Sequence, residues 1–228
     1  MLKFTPLLLA LIYGIVAWRF SAWRLKSELD NKSAELADPG LRKHMGRLAE
    51  ALDLPRIKVH LYDVPTINGL AAPDGRIFIT RGFYDAYRAG TVTAEEILSV
   101  VAHELGHVAL GHSRRRMIDF SGQNALRMGL AMVLARILPG FGPMVAGALT
   151  SLLTAKLSRK DEYEADAYAS ALLTKAGYGT APQVSLFEKL ETLSGNRGNS
   201  PAWLLSHPKT AERIAAIQAL DAKWHGRG

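Results

Sequence analysis

The chain opens with an uncharged apolar run, Phe4 to Trp18 (FTPLLLALIYGIVAW), bracketed by Lys3 and Arg19. The run is shorter than the ~20 residues an upright helix needs to cross a bilayer. Snorkelling Lys3 and Arg19 and interfacial Trp18 and Trp23 can make up the deficit. A cleaved signal peptide begins in the same way, but no small-x-small site follows, since Ser21-Ala22 is flanked by Phe20 and Trp23. The pattern predicts an N-terminal membrane anchor over residues 1–26, with a signal segment as the alternative, followed by one domain over residues 27–228. Arg19, Arg24 and Lys26 outnumber Lys3 plus the amino terminus. That bias predicts a single pass of the inner membrane with the domain on the cytoplasmic side. A second apolar region, residues 125–155, is interrupted by Arg127 and Arg136 and broken by Pro139-Gly140-Phe141-Gly142-Pro143. Two short helices joined by a turn are expected there, packed on the domain or against the membrane surface.

Between these regions the period changes repeatedly. A polar helical linker reaches about Ala37. Asp38-Pro39 reads as an N-cap and first-turn proline, opening a helix that ends before Pro55. Ile57 to Tyr62 (IKVHLY) alternates and is β-rich; Arg76 to Thr80 (RIFIT) follows the turn Pro73-Asp74-Gly75. Thr93-Ala94-Glu95-Glu96 is a capping box starting a helix that stops at Gly111. Ser158 is expected to cap another helix, ending near Ala176. Further helices are predicted over Pro182 to Leu193 and Pro208 to Trp224. The fold class is α+β, mostly helical with a small sheet.

Composition narrows the partners. The chain has 228 residues, enough for one domain plus attachments, and no cysteine, so any metal must be held by His, Asp or Glu. Its formal charge of +7 suits nucleic acid or an anionic membrane. No zinc finger, no RNA-binding aromatic signature and no basic helix free of other duties is visible, which argues against nucleic acid.

The chemistry concentrates in His103-Glu104-Leu105-Gly106-His107. Residues four apart lie on one helical face, so both imidazoles can bind one ion, while Glu104 can reach the site as a general base. The preceding apolar turns (ILSVVA) suit a buried helix. Catalytic zinc takes three protein ligands and leaves a position open. His112 lies beyond Gly111 on another face and reads better as part of a basic helix end with Arg114, Arg115 and Arg116, on a solvated or membrane-facing surface. Glu162 shares a small and apolar stripe with Ala165, Asp166, Ala169, Leu172 and Leu173, whereas Glu164 aligns with Tyr168, Ala171 and Lys175. An inward carboxylate needs a partner, and a metal supplies one, so Glu162 is the expected third ligand. Asp166, one turn on, can accept the N–H of a ligand histidine. Asp161 and Glu164 fit a solvated acidic helix start.

These pieces resemble the HtpX-like membrane metallopeptidases, the gluzincin group that includes the CAAX prenyl endoproteases and the mitochondrial Oma-type proteases. The resemblance rests on Asn68 with Pro73-Asp74-Gly75-Arg76-Ile77, Glu95-Glu96-Ile97 through His112, Ser158-Arg159 with Glu162 to Ala167, and Ser206-His207-Pro208 with Arg213-Ile214. It implies a zinc endopeptidase with one Zn2+ per chain, acting on proteins or peptides in quality control or proteolytic processing. It implies that the first Glu of Glu-x-x-x-Asp, here Glu162, is a ligand, and that His207 serves substrate, tetrahedral intermediate or open metal position. HtpX itself resembles a four-span protein, whereas this chain has one short N-terminal segment. That plan is closer to the periplasmic peptidases of the group and sets a periplasmic domain against the cytoplasmic one.

Glu104 is thus expected to carry the catalytic proton, and His207 either donates to the oxyanion or is an ordinary neighbour of a helix N-cap. Asn68 either hydrogen-bonds substrate backbone or shapes the turn with Gly69. Strand Arg76 to Thr80 is either an edge to which substrate adds or a plain structural hairpin. A membrane-tethered chaperone or adaptor with structural zinc, and a zinc amidase acting on a non-peptide bond, are the competing functions. Glu104 has no purpose in a closed structural site.

Overall fold

The computed structural model describes residues 5–72, 74–112, 127, 130–131, 133–137, 141–195, 207 and 210–225. Lys3, Pro73, Arg114, Arg115, Arg116, Pro139, Gly140, Ser206 and Pro208, each given a part above, lie outside them. Eleven elements follow in order: α1 (Thr5–Lys32), β1 (Ser33–Glu35), α2 (Pro39–Ala51), β2 (Val59–Tyr62), β3 (Gly69–Ala71), β4 (Ile77–Thr80), α3 (Arg81–Arg88), α4 (Ala94–Ala109), α5 (Gly142–Lys175), α6 (Ala181–Gly195) and α7 (Thr210–His225). The chain divides into two compact units, Met1–Leu29 with Gly111–Asp161, and Asp30–Leu110 with Glu162–Gly228.

In the second unit four strands form one sheet in the order β1-β2-β4-β3. β1 runs antiparallel to β2, β2 parallel to β4, and β3 antiparallel to β4. The tight return from β3 to β4 closes with Ala72 N donating to Arg76 O at 2.8 Å, and with Gly75 at φ +86°, a left-handed position that costs glycine little. β4 is therefore interior, with neighbours on both sides, and not the edge strand considered above. β1 forms one edge of the sheet, and the edge beside β4 is β3. Its even positions face β4, as Thr80 N donating to Asn68 O at 3.0 Å shows, so Gly69 and Ala71 turn their backbone groups outward.

α4 is the spine of this unit. Thr93 caps it by accepting from Glu96 N at Oγ1, 3.2 Å, and Thr93 N donates to Glu96 Oε2 at 2.8 Å. Glu96 is buried and also takes Ser185 Oγ at 2.6 Å and Lys189 Nζ at 2.8 Å, which ties the start of α4 to α6. From Glu96 to Glu104 every residue of α4 is buried, and the helix packs against α2, β3, β4 and α6. Leu41, Leu48, Phe78, Phe83, Leu173 and Leu190 are among the core side chains. Asp38 caps α2 as expected, accepting from Leu41 N at 2.9 Å.

α5 departs from expectation. It is continuous from Gly142 to Lys175, so Ser158 sits inside a helix and is no cap. The serine was a plausible start because the residues before it carry no helical face of their own to read.

The first unit holds the beginning of α1 and the segment from Gly111. Ile12, Tyr13, Ile15, Val16, Phe20 and Trp23 of α1 are exposed, as are Val133, Ile137, Phe141, Met144 and Leu149. Among the described residues no helix is long and apolar enough to cross a membrane. His112, expected on an open surface, is fully buried in this unit, with Nε2 3.8 Å from Asp161 Oδ1. Asp161 is buried too, so neither belongs to a solvated helix end.

Candidate metal centre

α4 carries His103, Glu104 and His107, all buried. The two rings meet edge to face, with Nε2 atoms 3.0 Å apart. Glu162, near the middle of α5, brings Oε2 to 3.4 Å from His103 Nε2 and Oε1 to 3.5 Å from His107 Nε2. The stripe expected around Glu162 is realised: Ala165, Asp166, Ala169, Leu172 and Leu173 are all buried, while Glu164 is not. The approach of α5 to α4 depends on Gly106, where an added Cβ would stand 3.1 Å from both Cα and O of Ala165. The glycine inside the motif thus lets the carboxylate helix come within ligand distance of the histidine helix.

His207 reaches the same cluster from a separate part of the chain. Its Nδ1 lies 2.5 Å from Glu162 Oε2 and 3.4 Å from His103 Nε2, and its Nε2 lies 3.5 Å from Glu104 Oε1. Asp166 Oδ1 stands 2.9 Å from His103 Nδ1, the far side of that ring. Arg213 of α7, only 1% exposed, grips Asp166 with both arms: Nε to Oδ2 at 2.6 Å and Nη2 to Oδ1 at 2.7 Å. Its Nη1 donates to His207 O at 3.1 Å. Sequence reasoning gave Arg213 no role, because a lone arginine on a helix usually points into solvent. Its place beside the Ser-His-Pro segment was the only signal.

The donors suit a dication. Ligands about 2.0–2.1 Å from a tetrahedral zinc lie about 3.3–3.4 Å from one another, and the spacings among His103 Nε2, His107 Nε2 and Glu162 run from 3.0 to 3.5 Å. Four ligand atoms, one each from His103, His107, Glu162 and His207, lie within 4.8 Å of one another. Electrostatics agree. Burial opposes charge on His103, but Asp166 and Glu162 outweigh it and hold the ring's pKa up at about 9. Burial opposes charge on Glu162 as well, yet hydrogen bonds from His103 and His207 keep its carboxyl far below the usual range. Glu104 Oε1 is buried and makes no hydrogen bond among the described residues, with His207 Nε2 standing 3.5 Å from it.

Asn68 enters β3 with its backbone paired to Thr80, N to Oγ1 at 2.9 Å, and its side-chain Oδ1 is buried without a hydrogen bond among the described residues. Beside it, Gly69 abuts α4, where an added Cβ would be 3.8 Å from Glu104 Cγ. The edge strand therefore runs past the candidate base. His112 is not brought to the cluster.

Comparison with known proteins now decides the family. Residues 35–221 match the description "Peptidase family M48". The chain belongs to peptidase family M48. It is 30% identical over 197 residues to the metalloprotease LoiP of Escherichia coli K12, covering 84% of this chain and 75% of that protein. It is 33% identical over 186 residues to the metalloprotease YcaL of the same organism, covering 77% and 68%. To human mitochondrial metalloendopeptidase OMA1 it is 25% identical over 170 residues, 71% of this chain but 32% of that protein. As a member of M48 the chain is a metalloendopeptidase, which sets aside the chaperone reading.

Proposed function

We propose that this M48 enzyme is a membrane-associated zinc endopeptidase in which His103, His107 and Glu162 hold one zinc and Glu104 is the general base. The observation that carries the assignment is the convergence of those three donors, 3.0 to 3.5 Å apart, beside a buried carboxylate oxygen with no hydrogen bond. Zinc, when bound, activates water for attack and polarises the scissile carbonyl. Glu104 takes the proton of the attacking water and returns it to the leaving amine nitrogen, so that the C–N bond breaks without a free amide anion. Asp166 keeps the Nδ1 proton on His103 and so leaves Nε2 as the donor. His207, within 3.5 Å of Glu104, is assigned to the oxyanion of the attacked carbonyl. A site closed by His207 as a fourth ligand would leave Glu104 without purpose.

The outward backbone groups of Gly69 and Ala71 suit an extended protein or peptide substrate added antiparallel to β3, with Asn68 Oδ1 accepting from its backbone. Zinc content and casein cleavage by the purified chain test the assignment. A chelator should abolish cleavage and added zinc restore it; cleavage that persists in the metal-free protein refutes it.

We further propose that residues 1–26 tether the 27–228 peptidase domain to the inner membrane. The support is the exposed apolar surface of the first unit together with its charge. That unit holds 12 of the chain's 28 Lys and Arg but only 3 of its 21 Asp and Glu. Such a surface suits anionic lipid. The excess of Arg19, Arg24 and Lys26 over Lys3 supports a cytoplasmic domain. Alkaline phosphatase fused after Gly228 should then stay inactive, and high phosphatase activity would move the domain to the periplasm.

A further inference from the structure

We infer that Arg213 is a positioning residue for the proteolytic reaction: its guanidinium joins His207 to the Asp166–His103 pair and sets the distance between them. The inference rests on the roles proposed above for His207 and the metal ligands. A guanidinium that is 1% exposed must recover its lost hydration through hydrogen bonds. Arg213 does so in two directions. The fork from Nε and Nη2 to Asp166, at 2.6 and 2.7 Å, fixes both oxygens of the carboxylate, one of which lies 2.9 Å from His103 Nδ1. The remaining arm, Nη1, donates to the backbone carbonyl of His207 at 3.1 Å and lies 3.5 Å from Glu162 Oε2. Phe187, whose ring centre is 4.6 Å from the guanidinium carbon, gives the plane a floor.

A structural ion pair would need only the fork. The third donor is what distinguishes this arginine, because it reaches the one residue of the cluster that no described helix or strand carries. His207 lies outside the described helices, whereas His103, His107 and Glu162 stand on α4 and α5. Arg213, rooted in α7, therefore ties the backbone of His207 to the Asp166 carboxylate while the ring of His207 stands 2.5 Å from Glu162 and 3.5 Å from Glu104. It is also, among the described residues, the one buried Lys or Arg, set against the buried carboxylates of Glu104, Glu162 and Asp166. A lysine could keep the charge and one bond to Asp166, but it cannot hold Asp166 and the His207 carbonyl in one planar frame.

The test uses the full zinc-loaded chain and four variants: Arg213→Lys, Arg213→Met, His207→Ala and the double variant Arg213→Lys/His207→Ala. Chelator competition reads zinc affinity, and turnover of a fluorogenic peptide separates kcat from KM. Arg213→Lys should keep zinc affinity nearly unchanged and lower kcat by up to about 10²-fold, as small misplacements of a reacting group do. The double variant should be no slower than His207→Ala alone. Arg213→Met, which also frees Asp166, should weaken zinc about 10–100-fold, the usual cost of disturbing a ligand's partner. If the Met variant does not fold, the Lys arm still decides. Wild-type kcat in Arg213→Lys beside an impaired His207→Ala overturns the inference alone, as does a double variant whose loss is the product of the two single losses. Wild-type kcat in His207→Ala would instead remove the reading on which it rests.

Discussion

The two units of the chain depart from the usual rule of burial in different ways. In the unit formed by residues 30–110 and 162–228, His103, Glu104, His107, Glu162, Asp166 and Arg213 are at most 3% exposed, while the core around them is apolar. In the unit formed by residues 1–29 and 111–161, Ile12, Tyr13, Ile15, Val16, Phe20 and Trp23 of α1 are exposed and the net charge is strongly positive. Burying charged groups is unfavourable unless each finds a partner, and exposing apolar ones is unfavourable unless something covers them. The first anomaly is resolved inside the molecule by contacts of 2.5 to 3.5 Å, and the second is what the proposed lipid contact would cover. Function is legible in both places as a departure from the usual rule of burial.

The comparison can be sharpened by removing single groups from the polar unit. Glu162→Ala should weaken zinc by well over the about 10–100-fold that changes beside a metal site typically cost, because it deletes a ligand, while Glu164→Ala should leave affinity nearly unchanged. Equal losses in chelator titrations would mean that the inward face of α5 has been misassigned. His207→Ala should lower kcat by about 10²–10³ at normal zinc content if it donates to the oxyanion. Turnover within a few-fold of wild type would end that role. Asp166→Asn should cost about 10–100-fold in zinc affinity; a value matching wild type would mean that the contact with His103 Nδ1 orients nothing.

The converse experiment touches the apolar unit. Replacing Phe20 and Trp23 of α1 by Ser should reduce co-sedimentation with vesicles containing anionic lipid and leave zinc content and turnover of a soluble peptide as they were. Loss of peptide turnover together with vesicle binding would show that the two units do not divide the labour in this way.

What the sequence revealed follows the range of each interaction. His103 and His107 are four residues apart on one helix with Glu104 beside the first, so local geometry suffices to bring the three together. The inward placing of Glu162 was recoverable because Ala165, Asp166, Ala169, Leu172 and Leu173 repeat with the helical period, and all of them are buried. Arg213 was not, because its partners Asp166 and His207 approach only in the folded chain. Strand order was hidden as well. β3 has three residues, too few to alternate, and without it β4 looked like an edge. α3, with the sequence RGFYDAYR, turns Phe83, Tyr84, Ala86 and Tyr87 to the core, but at eight residues it is too short for that face to repeat visibly in the sequence.

The most direct test of the central claim is a paired measurement on Glu104→Gln. Glutamine keeps the size and polarity of the side chain but can no longer take a proton from water. The variant should purify with the same zinc content as wild type, because Glu104 is not assigned as a ligand, and its casein and peptide cleavage should fall to background. Cleavage at wild-type rate by the zinc-loaded Glu104→Gln protein would contradict the account.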